Sequence, residues 1–163
     1  MPISYAPSPV PFIPERFYES VFLAGSIEMD KAERWQDRAT DVLSEYFLLY
    51  NPRRPDWDSA WDPNGHEMVS QITWEQNRME TASVVFFYFD PNTKSPITLL
   101  ELGQCLGSMK RIFVVCPDGF YRKTNVIVTC NRYGVPVCDT LEEGLSVLLK
   151  LGTDLDYTKK VLS

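Results

Sequence analysis

Glu101 stands in the segment Ser95-Pro96-Ile97-Thr98-Leu99-Leu100-Glu101-Leu102-Gly103, shortly after the apolar run Val84-Val85-Phe86-Phe87-Tyr88-Phe89. A short continuous apolar run reads as a strand buried on both faces. It delivers the carboxylate near the carboxyl end of a central strand, where open α/β sheets place their ligand sites. An acid held there, beside a strand-to-helix turn, can serve as a nucleophile. Thr98-x-x-Glu101 also matches a capping box. Position alone leaves both roles open.

Three other segments carry more polar chemistry than packing requires: Gly25-Ser26-Ile27, Asn51-Pro52-Arg53-Arg54-Pro55-Asp56-Trp57 and Gln71-Ile72-Thr73-Trp74-Glu75. Gly25 is either a tight-turn glycine or a point where backbone approaches a ligand closely. Asn51 and Asp56 either meet a ligand or close Asx turns in a proline-rich loop. Arg53 and Arg54 are adjacent, and on an extended segment two neighbours cannot face one site. Ser95 precedes Pro96 as an N-cap precedes a first-turn proline, a position compatible with binding an anion. His66 reads as a loop or helix-start residue rather than a base.

The elements that must position these residues alternate. Ser20 to Ala24 reads as the first strand. Asp30-Lys31-Ala32-Glu33 is a candidate capping box, and Ala32, Trp35, Ala39, Val42, Leu43 and Tyr46 follow helical spacing. Phe47 to Tyr50 is a short strand. A helix is expected from about Glu67 to Thr81, the Val84 strand follows, and the helix carrying Glu101 ends near Gly107. Arg111 to Cys116 is a further strand, Val126-Ile127-Val128 fits strand or helix, and Val135-Pro136-Val137 is a short last strand. A final helix carries Leu141, Leu145, Leu148 and Leu149. Strands alternating with helices imply an α/β fold, a three-layer sandwich around a mostly parallel central sheet, flavodoxin-like or Rossmann-like. In the loops after strands all on one sheet edge, the first, second and last polar segments converge. Glu75 lies on a helix returning to the next strand, so pattern alone does not bring it there.

Residues 1–19 hold five of the twelve prolines and are expected to form an extended arm. Residues 20–152 are expected to form one domain that holds all four polar segments, and 153–163 a polar tail that frays after Gly152. The net charge of −6, with no basic block, argues against a nucleic acid polymer as partner. The four cysteines make no CxxC pair and there is one histidine, so no metal site and no cofactor is expected. Buried free thiols and the absence of an apolar stretch of membrane-spanning length make a cytoplasmic protein the default. Neither GxGxxG nor GxxxxGK[ST] follows the first strand, so the dinucleotide and nucleoside-triphosphate readings lose their motif.

Taken together, Phe22-Leu23-Ala24-Gly25-Ser26-Ile27, Asn51-Pro52-Arg53-Arg54-x-Asp56-Trp57, Trp74-Glu75 and Ser95-Pro96-Ile97-x-Leu99-Leu100-Glu101-Leu102-Gly103 resemble the nucleoside 2-deoxyribosyltransferase-like proteins over roughly residues 20–150. The resemblance implies cleavage of the N-glycosidic bond of a deoxynucleoside, with Glu101 attacking C1′ to form a deoxyribosyl ester that a second base or water then takes. It implies that Glu75, 26 positions earlier, contacts the nucleobase; with its pKa raised by a partly apolar pocket beside Trp74, Glu75 would serve as proton donor to the leaving base. It also implies substrate contacts from Gly25, Ser26, Ile27, Asn51, Arg53, Asp56, Trp57 and Ser95, and a homodimer or larger assembly in which Asn125 from a neighbouring subunit meets the sugar. Transferases commonly have Asp at the place of Ser95, holding the 5′-hydroxyl. The related deoxynucleoside 5′-monophosphate N-glycosidases have Ser, which leans the reading toward a nucleotide. A non-catalytic nucleotide-binding module is the third possibility. Tryptophans 57, 61 and 74 serve either packing or base stacking.

Overall fold

The computed structural model describes residues 3–9, 19–28, 31–58 and 60–162. Six parallel strands form one sheet: β1 (Ile3–Tyr5), β2 (Ser20–Gly25), β3 (Leu48–Asn51), β4 (Val84–Tyr88), β5 (Arg111–Val115) and β6 (Val137–Cys138), in the order β1-β3-β2-β4-β5-β6. Five helices connect them: α1 (Trp35–Leu43), α2 (His66–Thr81), α3 (Pro96–Leu106), α4 (Lys123–Arg132) and α5 (Leu141–Leu162). The fold is the expected three-layer α/β sandwich.

The period-2 alternation of the strands divides the core in two. Phe22, Ala24, Val85, Phe87 and Phe89 join Trp74, Leu102, Cys105 and Val126 under α2, α3 and α4. Val21, Leu23, Val84, Phe86 and Tyr88 join Trp35, Ala39, Leu43, Leu145 and Leu148 under α1 and α5. Both faces of β4 are apolar because both are covered, which is why its sequence shows no polar alternation. Each fully buried Leu or Phe contributes about 1.5–3 kcal/mol. The four cysteines are free thiols, and Cys105, Cys116 and Cys130 are buried.

The connections place the site. From β2 the chain crosses to β3 on one side, then returns past β2 to β4 on the other. The loops leaving β2 and β4 therefore diverge and open a crevice at the carboxyl edge, the switch point where such sheets bind ligands.

Several boundaries depart from expectation. The proline-rich start supplies β1, which pairs Ile3 with Leu49 and Tyr5 with Asn51 at the sheet edge. An edge position tolerates neighbouring prolines that a central strand would not. Residues 10–18 of the expected arm, and Asp30 of the first candidate capping box, lie outside the described residues. Helix α1 begins at Trp35 without a side-chain cap, and the Glu33 backbone N–H bonds Asp90 Oδ2 at 2.8 Å instead. The Val126 segment is helical, in α4. Helix α5 continues through Gly152 rather than fraying there. A Cβ at Gly152 would lie 2.7 Å from the Phe47 ring, so this glycine is where α5 crosses the core closely, not where it stops. No helix among the described residues is long and apolar enough to cross a membrane.

Candidate active site

A cavity of about 520 Å³ opens at the crevice, a volume typical of small-molecule sites. Gly25, Ile27 and Glu28 line it from the β2 loop, and Pro52, Arg53, Arg54 and Trp57 from the β3 loop. Gln71 and Glu75 line it from α2, and Ser95, Thr98 and Glu101 from the start of α3. Three of the four segments singled out in the sequence converge as topology requires, and the fourth, on α2, joins them.

Gly25 allows the β2 loop to pass against β4. A Cβ there would stand 2.5 Å from the Tyr88 carbonyl oxygen and 2.7 Å from the Trp35 ring, which no side chain could occupy. Ser26 lies completely buried behind the cavity wall. Its Oγ accepts the Asp90 N–H at 2.9 Å, lies 2.5 Å from Ser95 Oγ, and accepts from Thr93 Oγ1 at 3.1 Å. This hydroxyl cluster ties the β2 loop to the segment that starts α3.

Ser95 adopts a left-handed backbone, with φ at +47°, immediately before Pro96. Its hydroxyl makes no cap bond; it is shared with Ser26 and, at 2.7 Å, with Thr93. The expected N-cap position is therefore right, but its side chain serves the cluster. Helix α3 starts at Pro96, so Thr98 is already inside it and cannot cap it. That removes the capping-box role for Glu101. The carboxyl instead faces the cavity from the second turn, with the residue 8% exposed.

Glu75 completes an acidic pair. Burial pushes its carboxyl up to about 7, opposed by the hydrogen bond that Gln71 Nε2 donates to Glu75 Oε1 at 2.6 Å. Burial pushes Glu101 up to about 8, with repulsion from Glu75 adding to it. Two carboxyls that repel in a desolvated cavity cannot both ionise near neutrality. The repulsion couples the two groups, so they titrate as a pair. One protonated and one ionised carboxyl at a single cavity is the pairing that acid-assisted displacement at a glycosidic carbon requires.

The other expected residues divide. Gly25, Ile27, Arg53, Trp57 and Ser95 reach the cavity wall. Asn51 is buried off it, its Oδ1 accepting the Arg53 backbone N–H at 3.0 Å as an Asx turn. The Arg53 guanidinium turns back into the protein, bonding the Glu33 and Ala32 carbonyls at 2.7 and 2.8 Å and Gln36 Oε1 at 3.2 Å. It fastens the β3 loop to the start of α1. Asp56 is exposed outside the cavity and pairs with Arg54 at 2.9 and 2.7 Å, while the Arg54 guanidinium stacks 4.5 Å over Trp61. Trp57 and Trp61 meet edge-on at 5.4 Å and form an aromatic wall. Trp74 is a core residue whose Nε1 donates to the Ser8 carbonyl at 2.7 Å. Asn125 is exposed on α4, away from this chain's cavity.

The sequence reading overlooked Glu28 and Gln71 as site residues. Gln71 was recoverable, because i and i+4 side chains meet on a helix. Glu28 was not, because its position depends on a positive φ, +45°, that a non-glycine residue does not announce. No group of three or more His, Cys, Asp or Glu able to hold a metal occurs among the described residues.

Residues 18–120 match the family described as nucleoside 2-deoxyribosyltransferase like. The chain belongs to that family. The matched span covers strands β2 to β5, helices α1 to α3 and every residue named on the cavity wall. Membership points to glycosyl transfer or glycosidase chemistry on nucleoside substrates. Asn125 lies beyond the matched residues. No curated protein matches the chain.

Proposed function

We propose that the protein is an N-deoxyribosyltransferase that moves the sugar of a 2′-deoxynucleoside to another base through a covalent ester on Glu101. The observation that carries this reading is the pair of raised carboxyls, half-buried Glu75 and buried Glu101, at the switch-point cavity of a chain in this family.

In the first half-reaction a Glu101 carboxylate oxygen bonds C1′ as the C1′–N bond breaks. The bonding electrons leave with the base nitrogen, and Glu75 supplies the proton that neutralises the base. The positive character developing at C1′ favours an ionised neighbour, so with substrate in place the proton belongs on Glu75. In the second half-reaction Glu75, now ionised, accepts a proton from the incoming base. The base nitrogen bonds C1′, and the C1′–O bond returns its electrons to Glu101. Two displacements retain the configuration at C1′. The chemistry needs no metal or organic cofactor.

Trp57, Trp61, Ile72, Ile97 and Leu100 give the cavity the flat and apolar lining that holds a free base. That lining supports transfer over hydrolysis. In the homo-oligomer this reading includes, Asn125 of the partner subunit meets the sugar, an arrangement compatible with its exposure on α4.

Incubating the protein with one 2′-deoxynucleoside and a different free base separates the outcomes. The exchanged nucleoside is the expected product, and Glu101→Ala is expected to lose it while keeping its fold. Free base and 2-deoxyribose without exchange identify a hydrolase. Unchanged exchange in Glu101→Ala would overturn the assignment of the nucleophile.

A further inference from the structure

Glu28 occupies an unusual position on the cavity wall. It follows the Gly25-Ser26-Ile27 turn with φ at +45°, a region costly for a residue with a side chain. Its Oε1 accepts two backbone N–H groups, those of Lys94 and Ser95, each at 2.6 Å. Those N–H groups lie at the amino end of α3, where a helix presents its positive end and where an anionic ligand group would otherwise bind. The chain has filled that place with its own carboxylate.

The cations nearby do not offset it. Arg53 and Arg54 are the basic residues on the cavity wall. Arg53 is directed onto Glu33, Ala32 and Gln36, and Arg54 onto Asp56 and Trp61. Lys94 is exposed and its side chain is not part of the lining. The Ser95 hydroxyl, which the family resemblance connects with a phosphate, is shared with Ser26 and Thr93. Against these stand the carboxyl groups of Glu28, Asp58, Glu75 and Glu101 on the same wall. A phosphate entering here meets negative charge, and the Lys94 and Ser95 N–H groups are already taken by Glu28. A hydroxyl entering here finds an acceptor.

The distance suits a sugar. Six residues separate Ser95 from Glu101, about 9 Å of helical rise, and the Glu101 side chain leans back toward the helix start. With C1′ at Glu101 and the base toward Glu75 and Trp57, the far end of the sugar points at Glu28.

We infer that Glu28 selects the substrate at its 5′ end, accepting a hydrogen bond from the free 5′-hydroxyl of a nucleoside and repelling a 5′-monophosphate. This inference rests on the reading of Glu101 and Glu75 as the glycosidic machinery. It reverses the lean toward nucleotides that Ser95 gives in the sequence.

The test compares a 2′-deoxynucleoside with its 5′-monophosphate in the wild type, Glu28→Gln and Glu28→Gly. The glutamine keeps an oxygen for the Lys94 and Ser95 N–H groups and removes the charge. The glycine tolerates the positive φ and empties the N–H pair. The wild type is expected to favour the nucleoside in kcat/KM by roughly a hundredfold, the scale of an uncompensated like charge. Both variants are expected to narrow that ratio about tenfold or more by gaining on the monophosphate. Equal use of both compounds by the wild type, as when a phosphate simply displaces Glu28, overturns the inference, as does an unchanged ratio in both variants. If the wild type cleaves neither compound, the glycosidic reading fails, and Glu28 is then judged by equilibrium binding of the same two compounds to Glu101→Ala with and without the Glu28 substitutions. Nucleoside preference that the substitutions abolish sustains it; equal binding, or none, overturns it.

Discussion

Gln71 and Glu75, one turn apart on α2, are joined by a 2.6 Å hydrogen bond in which the amide donates to the carboxyl. The same amide nitrogen donates to the Pro52 carbonyl at 2.9 Å. Gln71 therefore fixes Glu75 and the β3 loop together. Its donated bond stabilises the ionised form of Glu75 and holds its carboxyl lower than burial alone would. Gln71→Leu should raise the Glu75 carboxyl and move the alkaline limb of the pH–rate profile upward. The orphaned Pro52 carbonyl should cost about 1–3 kcal/mol of stability. A denaturation midpoint that falls with no movement of the pH profile would mean that Gln71 only braces the loop.

Activity should follow a bell in pH. Turnover needs one ionised and one protonated carboxyl, so the rate should rise as the first proton leaves the pair and fall as the second does. The rise is expected at about 7 and the alkaline fall at about 8. These are the titrations of the pair, not of either residue singly. Glu75→Gln should remove the proton donor and lower kcat by about 10²–10⁴. It should do so least with nucleosides whose base departs readily without protonation. An equal loss across good and poor leaving bases would contradict Glu75 as the acid.

The same pair sets a pH dependence of stability. Both carboxyls hold their proton more tightly folded than unfolded, where they titrate near 4.5. The folded state binds more protons between those values, so stability is fullest below the unfolded value and declines as pH rises through about 7 and 8. Glu101→Gln, which removes the burial of a charge, should raise Tm by a few degrees at alkaline pH and change it little near pH 4. Thermal melts across that range check the sign. A variant equally shifted at both ends would show that the substitution acts on packing and not on ionisation.

Gly25→Ala tests the close approach of the β2 loop to β4. The added methyl collides with the Tyr88 carbonyl and the Trp35 ring, both fixed in the core. Overpacking of this kind costs about 1–3 kcal/mol, and the loop should move away from α3. We expect lower denaturant stability together with reduced kcat/KM. Unaltered stability would show that the loop yields easily and that Gly25 is not required by packing.

Much of this architecture is legible in the sequence because it depends on periodicity. The short apolar run from Val84 to Phe89, rich in valine and phenylalanine, reads as a doubly covered strand, and with strands and helices alternating it places Glu101 at the carboxyl edge. The less legible features depend on where a polar side chain turns. Arg53 and Arg54 are identical in type and adjacent, yet one braces the start of α1 from within and the other stacks on Trp61 at the cavity wall. Ser95 carries the N-cap signature but spends its hydroxyl on Ser26, a partner 69 residues away. Glu28 reaches the start of α3 only through a backbone conformation that its residue type disfavours. The extension of α5 past Gly152 was hidden for the opposite reason, since a glycine that permits close packing has the same letter as one that ends a helix.

The central claim is a covalent bond between Glu101 and C1′. The most direct measurement is rapid quenching of the protein with a 2′-deoxynucleoside in the absence of any acceptor base, followed by intact-mass and peptide mass spectrometry. The account predicts a mass increase of one deoxyribosyl group, carried by the peptide containing Glu101, lost on adding a free base and missing in Glu101→Ala. Glycosidic turnover by the wild type with no adduct at any quench time, or an adduct on another residue, would contradict it.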